Sequence, residues 1–149
     1  MARIEFEVVS PLEPETVLSN LVEFGERRPV LWPAIDPEVY EVHAIGDAWA
    51  EVTEGSDVLG GIWARERYDW SEPGVVRATI QETNLWHPGG TWTLSAEPGE
   101  NGGSTLTVVR DRRAKNVKAR LLEGLLRMAG ARMLAAELRK APALGIVNG

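Results

Sequence analysis

The chain of 149 residues is organised around one stretch near its C-terminus, residues 114–141, which reads AKNVKARLLEGLLRMAGARMLAAELRKA. Apolar residues recur there at a helical spacing and cover about half of the circumference, and the charged arc is narrow. At about 1.5 Å per residue the helix would be about 40 Å long, enough to cross a domain of this size. An apolar face this wide needs a large partner surface, so the stretch predicts one long helix packed across the rest of the chain.

Two glycines, Gly124 and Gly130, lie inside this predicted helix. A glycine in a helix interior costs up to about 1 kcal/mol relative to alanine. Small side chains there either let another backbone come close or leave room for a cavity beneath the helix. The sequence leaves both explanations open.

The preceding chain predicts one strand, two short helices and six more strands. Arg3–Val9 alternates apolar and charged residues, a first helix should run from Pro14 to about Phe24, and a short second helical piece follows at 30–33. The further strands are predicted at about 38–45, 48–54, 62–70, 75–83, 91–97 and 104–111, separated by turns rich in glycine and proline. Short links between consecutive strands predict an antiparallel meander, and a chain of this length with no linker predicts a single domain, 1–149.

Composition excludes several classes of protein. Hydrophobic content is 44% and charged content is 26%, as in ordinary globular proteins, and no apolar run approaches the ~18 residues of a membrane span. We therefore expect no integral membrane association. The N-terminal residues lack the pattern of a secretory signal, which makes the cytoplasm the expected location. Without cysteine, the chain has no disulfides and no thiolate chemistry.

Charge is distributed unevenly around the net value of -6. A basic run begins at Arg110 and includes Arg112, Arg113 and Lys115. The protein is nevertheless acidic overall, and aromatic residues are not interleaved with the basic run as they are in nucleic-acid-binding surfaces. We expect no nucleic-acid partner.

Metal and cofactor motifs are missing from the sequence. The only histidines, His43 and His87, are far apart and have no ligand spacing with other residues. Gly60-Gly61 and Gly89-Gly90 are turn glycines, and no dinucleotide or phosphate-binding fingerprint occurs. The prediction is that the protein has neither a metal site nor a cofactor.

The order of strand, two short helices, six strands and long helix is characteristic in itself. Local features accompany it around 11–17, at Trp32-Pro33, at 67–74 (RYDWSEPG), at 90–94 (GTWTL) and at 105–108 (TLTV). On these points the chain resembles the START-like, Bet v 1-like superfamily (SRPBCC), with closest likeness to its polyketide cyclase/dehydrase and lipid-transport branch. The resemblance implies an α+β helix-grip fold, in which a curved seven-stranded antiparallel sheet wraps around the C-terminal helix and encloses an apolar cavity.

Side-chain alternation then predicts which residues line that cavity, except on the second and third strands, whose faces are both mixed. The predicted ligand-binding residues are Ile80, Trp92, Leu94, Val108 and Arg110 on the strands, and Leu121, Leu125 and Met128 on the helix. The cavity mouth is expected at the loops 55–61, 84–90 and 110–116, and the base should be closed by Trp32 against Leu134 and Leu138.

Three charged residues, Glu66, Glu82 and Arg110, fall on the predicted inward face. Buried charges must be paired or shift their pKa, so these residues are either ion-paired or available for acid–base work. A structural pair between Glu82 and Arg110 is the preferred interpretation. If the protein is an enzyme, the catalytic candidates are Glu66 or Glu82 as the proton-transfer group and Tyr68 as the group that orients a carbonyl, in an aldol-type cyclisation or dehydration.

Three functions remain open at this point. The first is a carrier or sensor of a small hydrophobic or amphiphilic molecule, lipid-like or polyketide-like. The second is a polyketide cyclase or dehydratase, and the third is a protein-interaction module with a filled core. A cavity of ~300 Å³ or more would separate the first two from the third. The sequence leaves the oligomeric state and the ligand's identity undetermined.

Overall fold

The computed structural model describes residues 2–56, 61–84, 88–100, 102–112, 117, 120, 121, 124, 132 and 134–146. Seven strands form one sheet in the order β1-β7-β6-β5-β4-β3-β2, with every neighbouring pair antiparallel. The predicted meander is therefore confirmed. The strands are β1 (Ala2–Ser10), β2 (Glu41–Ile45), β3 (Trp49–Ser56), β4 (Ile62–Asp69), β5 (Val75–Thr83), β6 (Thr91–Pro98) and β7 (Ser104–Arg112).

Two short helices, α1 (Pro14–Leu21) and α2 (Arg28–Leu31), connect β1 to β2. Helix α1 begins at Pro14, where a missing N–H costs no hydrogen bond. It ends three residues before the predicted Phe24, and Gly25 N donates to the Glu23 side chain at 3.1 Å instead of continuing the helix. The Leu21 carbonyl accepts a hydrogen bond from Arg28 Nη1 at 2.6 Å. A side chain from α2 therefore replaces the backbone donor that a longer α1 would have supplied.

The C-terminal helix is described only in part. Positions 117, 120, 121, 124, 132 and 134–139 are helical, and a single 3-10 turn, Pro142–Leu144, follows. We call residues 134–141 the C-terminal segment. The rest of the predicted long helix lies outside the described residues, so its continuity stays a prediction.

The C-terminal segment and the 3-10 turn are fixed against the start of the chain. Ser10 Oγ donates to the Leu144 carbonyl at 2.5 Å, and Asn20 Nδ2 donates to the Ala143 carbonyl at 2.9 Å. Ala143 and Leu144 are fully buried. Because these bonds join the last turn to β1 and α1, they determine where the C-terminal segment meets the sheet.

The inner face of the sheet carries the core, with the alternation that the sequence predicts on β4, β6 and β7. Buried residues there are Ala64, Glu66, Tyr68, Leu94, Ala96, Leu106 and Val108. On β3, whose face the sequence left undecided, Ala50 and Val52 are buried and Glu54 follows them on the same side. The inner face of β3 therefore ends in a carboxylate.

Gly124 supports neither explanation for the helix glycines, close backbone approach or room for a cavity. It is exposed, and a Cβ built on it would have no atom of the described residues within 4 Å, apart from its chain neighbours and the backbone of its own helix. This position therefore neither permits a close backbone approach nor opens space beneath the helix. Gly130 lies outside the described residues.

Candidate functional site

A cavity of about 490 Å³ lies between the inner face of the sheet, helix α2 and the C-terminal segment. Most of its wall is apolar or aromatic. The lining residues are Phe6, Leu21, Arg28, Trp32, Pro33, Ala34, Ile35, Glu54, Tyr68, Trp92, Leu94, Val108, Arg110, Leu134, Glu137, Leu138, Lys140 and Ala141.

Four of the predicted ligand-binding residues, Trp92, Leu94, Val108 and Arg110, lie in this wall, as does the catalytic candidate Tyr68. They come together because neighbouring strands place them side by side. Trp92 pairs with Arg110, and Leu94 pairs with Val108, across the β6–β7 ladder. Whether these residues contact a ligand stays a prediction.

The other predicted ligand-binding residues are placed elsewhere or lie outside the described residues. Ile80 is buried but is not part of the cavity wall. Leu121 is 66% exposed and also does not line the cavity, so its predicted inward orientation is wrong. The apolar arc of the predicted helix is about half its circumference, and at this position the sheet does not cover it. Leu125 and Met128 lie outside the described residues.

Glu66 and Glu82 differ in their surroundings. Glu66 is buried, with Oε2 3.4 Å from the Tyr68 hydroxyl. Glu82 is exposed and pairs in register with Arg65, so its predicted inward position is wrong. The cause is a bulge: Glu66 pairs with Ile80 but Arg65 pairs with Glu82, which leaves one extra residue in β5 and reverses the inward phase beyond it. Since Glu82 faces outward, the predicted pair between Glu82 and Arg110 is not supported.

The structure also places a buried ion pair in the wall, between Arg28 and Glu54. Arg28 Nε donates to Glu54 Oε2 at 3.2 Å and Nη2 donates to Oε1 at 3.1 Å, a bidentate ion pair. Nη2 also donates to the Tyr68 hydroxyl at 3.2 Å, and Nη1 donates to the carbonyls of Leu21 and Glu23. The exposed fractions of the Arg28 and Glu54 side chains are 2% and 10%. This is a buried ion pair in a wall that is mostly apolar or aromatic.

Aromatic rings surround the arginine. Its guanidinium carbon lies 4.3 Å from the centroid of Phe24 and 5.2 Å from that of Tyr68. The Tyr68 ring meets both Phe24 and Trp92 edge to face, with centroids 5.0 Å and 5.6 Å apart. Cation–π and edge-to-face contacts favour these orientations, so the polar group is held in one geometry.

The pKa values of the buried groups follow from this arrangement. Burial, with the carboxylates of Glu54 and Glu66, raises the pKa of Tyr68 well above 10, and Arg28 offsets part of the shift. Burial works to lower the pKa of Arg28, but the charge that Tyr68 carries once it has lost its proton, the charge of Glu54 and the hydrogen bonds of both outweigh it, and the pKa is raised. Tyr68 is therefore neutral and Arg28 is charged at physiological pH.

Stability should fall as the pH rises above about 10. An unfolded tyrosine loses its proton near pH 10, whereas Tyr68 keeps its proton when folded, so the folded state binds more protons in this range. Burial also raises the pKa of Tyr40 to about 12, which adds to the effect. We expect urea unfolding between pH 8 and 11 to show a shallower loss of stability in Tyr68→Phe than in the wild type. Identical slopes would contradict the shift at Tyr68.

Sequence reasoning missed both Arg28 and Glu54. For Glu54 a signal existed, because alternation along β3 places it on the same face as Ala50 and Val52. The opposite face of β3, however, carries a similar mixture of polar and apolar residues, so the sequence did not show which face points inward. For Arg28 nothing local distinguishes it from Arg27 beside it. The pair joins residues 26 positions apart, which come together only in the folded chain.

Four of the lining residues are exposed to solvent: Pro33, Ala34, Glu137 and Lys140. Glu137 and Lys140 form an exposed ion pair at 3.3 Å. Trp32, Leu134 and Leu138 all line the cavity, and whether they close its base stays a prediction. The predicted mouth includes residues 57–60, 85–87 and 113–116, which lie outside the described residues.

Among the described residues, no group of three or more histidine, aspartate or glutamate side chains is placed to hold a metal ion. Over the same part of the chain, no helix is long and apolar enough to cross a membrane.

Comparison with known proteins gives matches at the level of structure. No family model and no curated protein matches the sequence. The Zhui aromatase/cyclase from Streptomyces sp. R1128 aligns with a TM-score of 0.76 at 15% identity, over 96% of this chain and 91% of the other. A START superfamily protein from Mycobacterium smegmatis gives 0.69 at 15%, over 94% and 99%. Norcoclaurine synthase from Thalictrum flavum, in complex with dopamine and hydroxybenzaldehyde, gives 0.66 at 13%, over 91% and 83%.

These likenesses establish the fold. The seven-stranded antiparallel sheet, with its cavity on the inner face, fits the helix-grip fold. The chain has the fold of the START-like, Bet v 1-like superfamily, as the resemblance in its sequence predicted.

Proposed function

We propose that this protein binds a small hydrophobic or amphiphilic molecule in the cavity, as a carrier or sensor. The observation that carries the proposal is the cavity itself, about 490 Å³ in volume and lined mainly by apolar and aromatic side chains. Ligand pockets of proteins span about 300 to 1,000 Å³ and have a similar lining. A protein-interaction module with a filled core would have no such space.

The structural neighbours support the same proposal. One of them is a norcoclaurine synthase in complex with two small aromatic compounds, and another is an aromatase/cyclase. Both show that this fold occurs in proteins that act on or hold small organic molecules. Burial of apolar ligand surface, at about 25 cal/mol per Å², would supply most of the affinity.

Filling the cavity should weaken binding. Leu138 lines the cavity on the C-terminal segment and is half-buried, so Leu138→Trp should occupy ligand volume and weaken binding of 1-methylpyrene about tenfold or more, measured by fluorescence titration. Ala136→Trp is the matched control, because Ala136 is exposed on the same helical turn and does not line the cavity. Equal weakening in both variants, or in neither, would contradict a ligand site in this cavity.

An acidic or carbonyl-rich group on the ligand should be favoured by Arg110, which lines the cavity beside Trp92. A fatty acid should then bind more tightly than its methyl ester, and the difference should shrink in Arg110→Gln and at high salt, because screening weakens exposed charge interactions. The measurement is a titration of both compounds at two salt concentrations. If acid and ester bind the wild type equally, the ligand's head group is not acidic.

Cyclase or dehydratase chemistry is a second candidate, favoured by the carboxylate of Glu54 in the cavity wall. A carboxylate next to a bound polyketide-like chain can accept a proton from a carbon beside a carbonyl. A carrier releases its ligand unchanged, whereas an enzyme releases a chemically altered compound. Mass spectrometry of a poly-β-ketone analogue after incubation would show loss of water or cyclisation for the enzyme, and unchanged compound for the carrier.

A further inference from the structure

Arg28, Tyr68 and Glu54 form a polar part of the cavity wall, and the hydrogen-bond donors of Arg28 and Tyr68 are all occupied. A guanidinium has five N–H groups. Those of Arg28 are directed to Glu54 through Nε and Nη2, to Tyr68 through Nη2, and to the carbonyls of Leu21 and Glu23 through Nη1. Arg28 therefore has no N–H left to donate to a ligand, although its side chain lines the cavity.

The hydroxyl of Tyr68 is committed in the same way. Its single proton lies toward Glu54 Oε1, with the two oxygens 2.5 Å apart, and its oxygen accepts from Arg28 Nη2. The raised pKa of Tyr68 keeps that proton in place at physiological pH. Tyr68 therefore offers no donor to the cavity either.

Glu54 has acceptor capacity to spare. A carboxylate accepts about four hydrogen bonds. In the part of the chain that the structure describes, Glu54 accepts three: from Arg28 Nε on Oε2, and from Arg28 Nη2 and Tyr68 on Oε1. One acceptor position remains, on Oε2, and Glu54 belongs to the cavity wall.

We propose that this part of the wall selects a ligand that carries a hydroxyl group, an alcohol or a phenol, which donates its proton to Glu54. The charge of Glu54 is already balanced by Arg28, so a neutral hydroxyl fits better than an ammonium group, whose charge would be buried without a counter-ion. A methyl ether or a ketone at the same place would leave Glu54 without its last donor. The assignment rests on the proposed ligand-binding function.

Three pyrenes of similar shape test the assignment by fluorescence titration. 1-Hydroxypyrene can donate a hydrogen bond, 1-methoxypyrene can only accept one, and 1-methylpyrene can do neither. Because a hydrogen bond to a charged acceptor is among the stronger ones, 1-hydroxypyrene should bind the wild type about tenfold more tightly than 1-methoxypyrene. The more apolar ether would bind more tightly if apolar burial alone determined affinity.

Two variants link the preference to Glu54. Glu54→Gln keeps an acceptor for Arg28 but turns an amide N–H₂ toward the free position, so the preference for the phenol should be lost or reversed. The triple variant Arg28→Met, Glu54→Leu, Tyr68→Phe gives an apolar wall and serves if the single variant does not fold. It should bind the ether more tightly than the phenol.

The outcomes distinguish a failure of the hydroxyl assignment from a failure of the proposed ligand-binding function. If all three compounds bind the wild type with no preference for the phenol, the hydroxyl assignment is wrong and the proposed function stands. If none of them binds, the proposed function fails and the assignment fails with it. A preference for the phenol that persists in both variants would also overturn the role of Glu54.

Discussion

Replacing Arg28 by methionine should destabilise the protein by about 3–5 kcal/mol, measured as the change in free energy of urea unfolding. The methionine keeps much of the side chain's length but leaves the carboxylate of Glu54, whose side chain is only 10% exposed, without a counter-ion. It also removes the donors to the carbonyls of Leu21 and Glu23, which lie where α1 ends. The loss combines an unpaired charge with unsatisfied backbone groups.

The control is the double variant Arg28→Met, Glu54→Leu. Removing both charges eliminates the unpaired carboxylate, and buried ion pairs can often be replaced by apolar residues at little cost. The double variant should therefore lose less stability than Arg28→Met alone, although the Leu21 carbonyl and the Tyr68 hydroxyl still lack a partner. Glu54→Leu alone completes the set. If the double variant loses as much stability as Arg28→Met and Glu54→Leu lose when their separate effects are added, Arg28 and Glu54 do not act as a pair.

The second large effect is expected in the core of β6 and β7. Leu106 is fully buried and Leu94 is 1% exposed, and truncation of such a leucine to alanine costs about 2–5 kcal/mol. Leu106→Ala should lie at the higher end, because Leu106 is not part of the cavity wall. Leu94→Ala should cost less, because one side of Leu94 already borders empty space and fewer contacts are lost.

The same two variants should differ in ligand binding. Leu94→Ala enlarges the cavity and should change the affinity for 1-methylpyrene, whereas Leu106→Ala should leave it unchanged. Unfolding curves and fluorescence titrations of both variants make the comparison. A loss below about 1 kcal/mol for Leu106→Ala would show that the side chain is not packed in the core, and an affinity change in that variant alone would argue that the cavity lies elsewhere.

Much of the fold could be predicted from local sequence signals. Turn residues separate the strands, and short connections between consecutive strands leave an antiparallel meander as the simplest arrangement. A period of two residues then predicts the inward faces of β4, β6 and β7, and with them the places of Tyr68, Trp92, Leu94 and Val108 in the cavity wall. These features depend on neighbours close in the chain, so the sequence carries them directly.

Alternation along a strand no longer predicts the inward face where an irregularity in strand pairing interrupts the two-residue period. The inward phase of β5 changes at the bulge opposite Arg65 and Glu66, which turns Glu82 outward. A bulge depends on how two strands pair, and alternation within one strand does not reveal it. The prediction for Leu121 was wrong for a related reason. When the apolar arc of a helix is wider than the surface it packs on, the sequence does not show which part of the arc is covered.

What the sequence alone determined is therefore the succession of the seven strands, their antiparallel order and part of the apolar wall. Tertiary structure alone decided the buried ion pair in that wall. Arg28 follows a turn and Glu54 lies near the end of a strand, and neither position is unusual in its own segment. Their pairing exists because the folded chain brings Arg28 beside Glu54 and Tyr68, and because a charge enclosed by apolar side chains is stable only with a partner of opposite sign.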